Sequence, residues 1–301
     1  MTEPATSAAE RPEVTVAVVY PDLMGTYGDG GNARILVQRL RWRGIGAQIL
    51  TVGFGTPVPR SAELYLLGGG EDRPQSLAAA ELAADGGLGA AVAGGAAVLA
   101  VCAGLQVLGT RFLTADGIQP GVGLIDAETL RGLDTRAVGE LVVDPDPGLG
   151  LPRLSGYENH AGATRLGPGV APFATVVSGI GNGVDGVDGY IAGRVVGTYL
   201  HGPALARNPE LADWLLAAVL GELGPLDPDG LAADAEARAL REERLSATRR
   251  VGRPDGRGRF GGSSAPGGWA GRIGGGATRA VRRVTSGGRS PRSPWRNSPH
   301  S

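Results

Sequence analysis

Hydrophobic runs and helical patterns alternate over the first hundred residues of the chain. Four short runs are β-branched or largely apolar, which is typical of buried strands. They cover 14–19, 47–52, 63–67 and 96–101. Apolar residues with helical spacing occur between them, at 33–41, 75–84 and 88–93. Strands that alternate with helices predict a parallel sheet covered on both faces.

The pattern changes past residue 120, where short apolar segments are separated by turns rich in Gly, Pro and Asp. We predict β segments at 121–127, 139–143, 174–177, 189–191 and 194–200. Helices are predicted from 210 to 220 and from 231 to about 249. Residues 13–249 are therefore predicted to form one α/β domain with a mixed, largely parallel sheet.

The two ends of the chain differ from this body in composition. Residues 1–12 are polar, and 250–301 are rich in Gly, Ser, Pro and Arg, so that neither offers enough apolar surface to offset the entropy of ordering. We predict that both are disordered. Residues 249–301 carry 12 arginines and one acidic side chain, whereas the first 248 residues carry 17 basic and 29 acidic ones. Such an acidic body does not suit nucleic acid.

The composition also excludes several kinds of site. No apolar stretch approaches the roughly 20 residues of a membrane helix, and the first residues resemble neither a signal peptide nor a transit peptide. One cysteine, Cys102, allows no internal disulfide framework and no cysteine-rich zinc site. The chain has no lysine, and therefore no P-loop. We predict a cytoplasmic protein without a metal site.

The candidate nucleophile is Cys102, which follows an apolar strand and precedes a helical run that starts at Leu105. Such a strand-to-helix turn is a nucleophile elbow, which raises the reactive atom above the sheet edge. The small residues Ala103 and Gly104 suit a tight turn, and a helix N-terminus favours a thiolate. A buried cysteine that only fills space is the alternative. The strand–Cys–Ala–Gly context favours the nucleophile.

Two histidines are candidates for the base that the thiol needs, because His300 falls in the predicted tail. His201 follows an apolar strand, which puts it at the same carboxyl edge of a parallel sheet as Cys102. His160 lies in a turn-rich stretch, where a structural or a substrate-facing role fits equally well. We favour His201 as the base.

Five motifs are spread between residues 27 and 203. They are Tyr27-Gly-Asp29-Gly-Gly-Asn32, Gly68-Gly69-Gly70-Glu71-Asp72-Arg73, Cys102-Ala-Gly-Leu-Gln106, Gly156-Tyr-Glu158-Asn-His160-Ala-Gly and Gly197-Thr-Tyr-Leu-His201-Gly-Pro. Together they resemble the class I glutamine amidotransferases of the CobB/CobQ type. The first and fourth resemble in particular GatD, the glutaminase subunit of lipid II isoglutaminyl synthase. The resemblance covers residues 13–245 and implies a three-layer α/β sandwich.

The resemblance implies how glutamine is cleaved. Cys102 attacks the γ-carboxamide, and His201 carries the proton to the leaving ammonia. Backbone N–H groups near Gly69, Gly70 and Ala103 form the oxyanion hole.

The resemblance also implies two residues that bind the substrate. Gln106 contacts the bound glutamine. Arg136 matches a family position that binds substrate, and a solvated surface arginine is the alternative.

The chain departs from the family pattern at the third member of the triad. Many class I enzymes have a glutamate two residues after the catalytic histidine, where this chain has Pro203. Asp29 is our candidate, because it lies in the loop after the first strand, at the carboxyl edge of the sheet. Glu158 is the alternative, and the triad member could also be absent, with Asp29 serving only to cap its loop.

The resemblance finally implies a partner. A Mur-ligase-like subunit (MurT) uses ATP and magnesium to activate the D-glutamate carboxyl of lipid II, while this chain holds no cofactor and supplies ammonia. A glutaminase for a cobyrinate-like acceptor and a non-enzymatic cysteine sensor or scaffold are the alternative functions.

Overall fold

The computed structural model describes residues 14–26, 28–132 and 136–251, and for 247–251 the backbone alone. Its strands are β1 (Val14–Val19), β2 (Ala47–Val52), β3 (Leu64–Leu67), β4 (Ala97–Val101), β5 (Arg111–Thr114), β6 (Gly117–Pro120), β7 (Ala127–Arg131), β8 (Ala137–Pro145), β9 (Leu154–His160), β10 (Gly162–Leu166), β11 (Ala174–Ser178), β12 (Val187–Asp188), β13 (Tyr190–Ala192) and β14 (Val195–Thr198). Its α-helices are α1 (Gly31–Arg41), α2 (Asp72–Asp85), α3 (Gly87–Ala93), α4 (Ala103–Leu108), α5 (Ala204–Arg207), α6 (Pro209–Leu220) and α7 (Pro228–Val251).

A six-stranded sheet carries the core, in the order β13-β14-β4-β3-β1-β2. β1, β2, β3, β4 and β14 run parallel, and β13 pairs antiparallel with β14 at one edge. Every residue of β3, β4 and β14 is buried, because the sheet is covered on both faces, and this explains their continuous apolar runs. The predicted mixed, largely parallel sheet is confirmed.

Two groups of helices cover the sheet. α1 packs on β1 and β2 and contacts α5 and α6. α7 packs against α5 and α6. α4 packs on β3, β4 and β14 and contacts α2, which in turn contacts α3. Helices on both faces of the sheet give the three-layer α/β sandwich that the sequence predicts.

Two further sheets are built from β5–β12, which begin at Arg111, before the change of pattern at residue 120. One has the order β10-β7-β5-β6 and packs near α2 and α4, and the other has the order β12-β11-β8-β9. The predicted strand at 121–127 is wrong: 121–126 is irregular, with β6 and β7 on either side. The turn-rich interpretation of the stretch around His160 is also wrong, because His160 ends the seven-residue strand β9. Buried polar residues on β9 conceal its strand pattern in the sequence.

The predicted disordered segments, 1–12 and 250–301, lie outside the described residues, except that Arg250 and Val251 end α7. Within the described part of the chain, no helix is both long and apolar enough to cross a membrane.

Candidate active site

The turn at Cys102 joins the buried strand β4 to α4, which begins at the next residue. Cys102 has φ 53° and ψ −105°, a backbone conformation that residues other than glycine rarely adopt. Gly104 has no room for a side chain, since a Cβ there would lie 2.7 Å from the Leu67 Cβ and 2.8 Å from the Leu67 carbonyl oxygen. The strained turn and the close helix packing are those of a nucleophile elbow.

A histidine and a carboxylate lie at the same edge of the sheet. His201 follows β14, Asp29 follows β1, and both strands run parallel to β4. The Nδ1 atom of His201 is 3.1 Å from Oδ2 of Asp29 and 3.3 Å from Oδ1. Asp29 Oδ2 also accepts a hydrogen bond of 2.8 Å from the N–H of Gly69, which fixes the carboxylate. A carboxylate on Nδ1 holds the proton there and orients Nε2 for chemistry.

The environment of His201 favours the protonated imidazole. Burial lowers the pKa of His201, but hydrogen bonds to Asp29 and to Cys102, together with the charges of both groups, raise it to about 10. His201 therefore carries a proton at neutral pH. An imidazolium beside a cysteine stabilises the thiolate, which is the nucleophilic form. The arrangement can thus both activate sulfur and donate a proton.

The second buried histidine, His160, has different partners. Its Nδ1 atom is 3.0 Å from the carbonyl oxygen of Gly162, and its Nε2 is 3.6 Å from Oε2 of Glu158. The ring stacks on Tyr199 with centroids 3.8 Å apart. Glu158 accepts hydrogen bonds of 2.8 and 2.9 Å from the backbone N–H groups of 180–181. The structure therefore places Asp29, and not Glu158, beside His201.

The backbone donors expected for an oxyanion are not equivalent. The N–H of Gly69 donates to Asp29, and its carbonyl oxygen accepts from Thr26, so Gly69 supports the carboxylate instead of facing the substrate. Gly70 and Ala103 line the cavity beside Cys102. Ala103 is the first residue of α4, where N–H groups have no partner within the helix. Gly70 and Ala103 are thus the better-placed donors of the predicted set.

A cavity of about 310 Å³ opens beside Cys102 and includes Gln106 in its wall. Gln106 accepts a hydrogen bond of 2.8 Å from the side chain of Gln75 and donates one of 3.1 Å to the hydroxyl of Tyr199. The same hydroxyl lies 2.7 Å from that of Thr164. This network fixes the Gln106 amide, which still has a lone pair and an N–H to offer a ligand.

Charged residues of both signs line the same cavity. The exposed side chain of Arg136 points its Nε at Oδ1 of Asn159, 2.5 Å away, and its Nη2 at the Asn159 carbonyl oxygen, 3.3 Å away. Arg131, Glu71 and Asp72 also line the cavity. A ligand with one positive and one negative group matches these charges. The sequence predicted substrate binding for Arg136 but gave no such role to the other three charged residues, because the tertiary fold, and not their spacing in the sequence, brings them beside it.

Among the described residues, no group of three or more His, Cys, Asp or Glu side chains is arranged to hold a metal ion.

Comparison with known proteins agrees with this geometry. Residues 15–209 match the model of the CobB/CobQ-like glutamine amidotransferase domain. The chain belongs to this family. The resemblance predicted from the five motifs is confirmed. The family domain contains the whole candidate site, from Asp29 to His201.

The curated relatives of this amidotransferase domain include the same subunit of one enzyme from two organisms. The GatD subunit of the glutamine-hydrolysing lipid II isoglutaminyl synthase of Staphylococcus aureus is 32% identical over 231 residues, which are 75% of this chain and 93% of that protein. The GatD subunit of Streptococcus pneumoniae is 32% identical over 215 residues, 69% of this chain and 81% of that protein. A cobyric acid synthase of Rhodobacter capsulatus is 37% identical over 164 residues, 52% of this chain but only 33% of that protein.

Proposed function

We propose that the chain is the glutaminase subunit of a lipid II isoglutaminyl synthase. The observation that carries the proposal is the convergence of Cys102, on a strained elbow, with a His201–Asp29 pair beside one cavity. Two relatives that carry this enzyme's name align with most of their own length. The charges around the cavity suit a free amino acid such as glutamine.

The first half of the proposed reaction releases ammonia. The Cys102 thiolate attacks the γ-carboxamide carbon of glutamine, so that a carbon–sulfur bond forms and the carbonyl oxygen becomes an oxyanion. The N–H groups of Gly70 and Ala103 stabilise that oxyanion. The His201 imidazolium then donates its proton to the amide nitrogen, the carbon–nitrogen bond breaks, and ammonia leaves a γ-glutamyl thioester on Cys102.

The second half restores the enzyme. His201, now neutral, accepts a proton from a water molecule as its oxygen attacks the thioester carbon. The second tetrahedral intermediate collapses with loss of the Cys102 thiolate, and glutamate is released. The thiolate and the imidazolium are then both regenerated. Asp29 keeps its negative charge throughout and stabilises the imidazolium.

The acceptor half of the reaction requires a partner. A carboxylate accepts ammonia only after activation, and this chain has no lysine with which to form a P-loop. We therefore assign ATP and magnesium to a Mur-ligase-like subunit of the MurT type, which activates the D-glutamate carboxyl of lipid II to give D-isoglutamine. This chain itself uses no cofactor. Glutamine and ATP are both cytoplasmic, and the proposed reaction belongs there.

Ammonia release and product analysis test the proposal together. The purified chain should hydrolyse glutamine without ATP, and lipid II should gain one amide only when the ligase subunit, glutamine and ATP are all present. Amidation of a cobyrinate-like acceptor in place of lipid II would support the alternative that the cobyric acid synthase match suggests. A chain that binds no glutamine and releases no ammonia, alone or with the ligase, would instead be a cysteine sensor or scaffold.

A further inference from the structure

Among the described residues, Asn159 is the one that holds the Arg136 side chain at the cavity wall. Asn159 accepts the Nε N–H with its side-chain oxygen and an Nη2 N–H with its main-chain oxygen. A guanidinium has five N–H groups, of which this contact uses two along one edge. The remaining N–H groups lie at the end of the guanidinium, where they form the fork that matches a carboxylate.

Asn159 is itself fixed by its two neighbours on β9. Glu158 is 2% exposed and accepts two backbone N–H groups from 180–181. His160 is 3% exposed, stacks on Tyr199 and contacts the carbonyl oxygen of Gly162. Because both neighbours are buried and hydrogen-bonded, the backbone of Asn159 has little freedom to move. The orientation in which Asn159 holds Arg136 is therefore fixed as well.

The charge balance of the cavity indicates what the guanidinium binds. Free glutamine has an α-carboxylate and an α-ammonium group in addition to the amide that Cys102 attacks. Glu71 and Asp72 line one part of the cavity and can pair with the ammonium group, whereas Arg136 can pair with the carboxylate. A guanidinium held in one orientation binds a carboxylate more tightly than a freely rotating one, because less side-chain entropy is lost on binding.

We propose that Asn159 is a positioning residue that holds Arg136 for the α-carboxylate of glutamine, and so selects the free amino acid. The inference rests on the proposed glutaminase function. Asn159 does not touch the reacting atoms, so its loss affects the binding of glutamine and leaves the chemical step nearly intact.

Steady-state kinetics of the full chain with its ligase partner test this role. Asn159→Ala should raise the KM for glutamine about tenfold, the usual size of one charge-assisted hydrogen bond, and change kcat by less than about twofold. Val138→Ala is the matched control, because Val138 pairs with Asn159 across β8 and β9 and is 58% exposed. Val138→Ala should leave both KM and kcat unchanged, and its melting temperature should equal that of Asn159→Ala.

A double-mutant cycle separates positioning from a merely structural effect. In an Arg136→Ala background, Asn159→Ala should add almost nothing to KM, since the group that it orients is gone. In an Arg131→Ala background, which removes the other guanidinium of the cavity, Asn159→Ala should keep its full effect. A KM effect of Asn159→Ala that persists without Arg136 would overturn the proposal.

A second substrate tests the chemical group that is recognised. 4-Aminobutanamide retains the amide and the ammonium group of glutamine but lacks the α-carboxylate. Asn159→Ala should leave its kcat/KM unchanged within about twofold, while kcat/KM for glutamine falls about tenfold. Equal losses for both substrates would show that Asn159 does not act through the carboxylate. A wild-type chain without glutaminase activity would refute the proposed function itself, whereas an active wild type with an unaffected Asn159→Ala variant would refute only this inference.

Discussion

The two buried histidine–carboxylate pairs of the domain, His201 with Asp29 and His160 with Glu158, differ in what surrounds them. Asp29 approaches Nδ1 of His201 at 3.1 Å, and Cys102 interacts with the same ring. At His160, Nδ1 contacts a main-chain oxygen and Nε2 faces the carboxylate at 3.6 Å. The first pair therefore has a nitrogen directed to chemistry, and the second has both nitrogens directed to the protein.

This difference shows that residue type and burial do not identify a catalytic histidine. Both histidines are almost fully buried, both lie beside a carboxylate, and both are near the cavity or its nucleophile. What distinguishes them is which nitrogen the carboxylate faces. A carboxylate on Nδ1 leaves Nε2 for a thiol and a leaving group. At His160 a main-chain oxygen takes that place at Nδ1, and the ring lines the cavity while stacking on Tyr199.

The largest expected contrast is between the two histidines. His201→Ala should reduce kcat for glutamine hydrolysis by at least about 10²-fold, the range for a general acid–base catalyst. His160→Ala should lose less, because its Nδ1 contacts a main-chain oxygen instead of a carboxylate, and its effect should fall mainly on stability. Ammonia release and melting temperature measured side by side give the comparison. An active His201→Ala beside an inactive, folded His160→Ala would reverse the two assignments.

Substitution of Asp29 should lower kcat more than substitution of Glu158, by a smaller factor than that between the two histidines. Asp29→Asn should lower kcat at least about tenfold, but less than His201→Ala does, because the amide can present N–H instead of oxygen to Nδ1 and no longer stabilises the imidazolium. Glu158→Gln preserves the shape of the side chain beside His160 and should change kcat less than Asp29→Asn does. Because both substitutions replace a carboxylate by an amide of the same shape, their effects on kcat can be compared directly. Equal losses of kcat would contradict the distinction between the pairs.

Much of the fold and of the candidate site could be predicted from the sequence, whereas the rest depends on tertiary contacts. The central strands are buried on both faces, so their apolar runs predict them to within about one residue. The carboxyl edge of a parallel sheet then brings Asp29, Cys102 and His201 together. β9 was missed because Glu158 and His160 are buried polar residues, whose hydrogen-bond partners lie outside the strand. The hydrogen bond from the Gly69 N–H to Asp29 occupies one expected oxyanion donor, and no sequence pattern predicts it.

The last expected difference is in stability as a function of pH and not in rate. The folded state raises the pKa of His201 from 6.5 to about 10, so it favours the protonated ring. That stabilisation is complete below about pH 6.5 and is lost as the pH rises towards 10. Over this window the free energy of unfolding of the wild type should fall more steeply than that of His201→Gln. Asp29→Asn and Cys102→Ala should each flatten the fall, since both partners contribute to the raised pKa. Parallel slopes for all four proteins would show that neither partner stabilises the imidazolium.

The central claim is that Cys102 and the His201–Asp29 pair supply nitrogen to a partner enzyme and do nothing else in the overall reaction. The most direct test is lipid II amidation by the complex of Cys102→Ala with the ligase subunit, followed by mass spectrometry of the lipid. With glutamine and ATP, no amide should form. With excess ammonium in place of glutamine, amidation should return to the rate of the wild-type complex supplied with ammonium, because only the nitrogen source has been removed. Amidation from glutamine by the Cys102→Ala complex would contradict the account, and so would amidation by this chain alone.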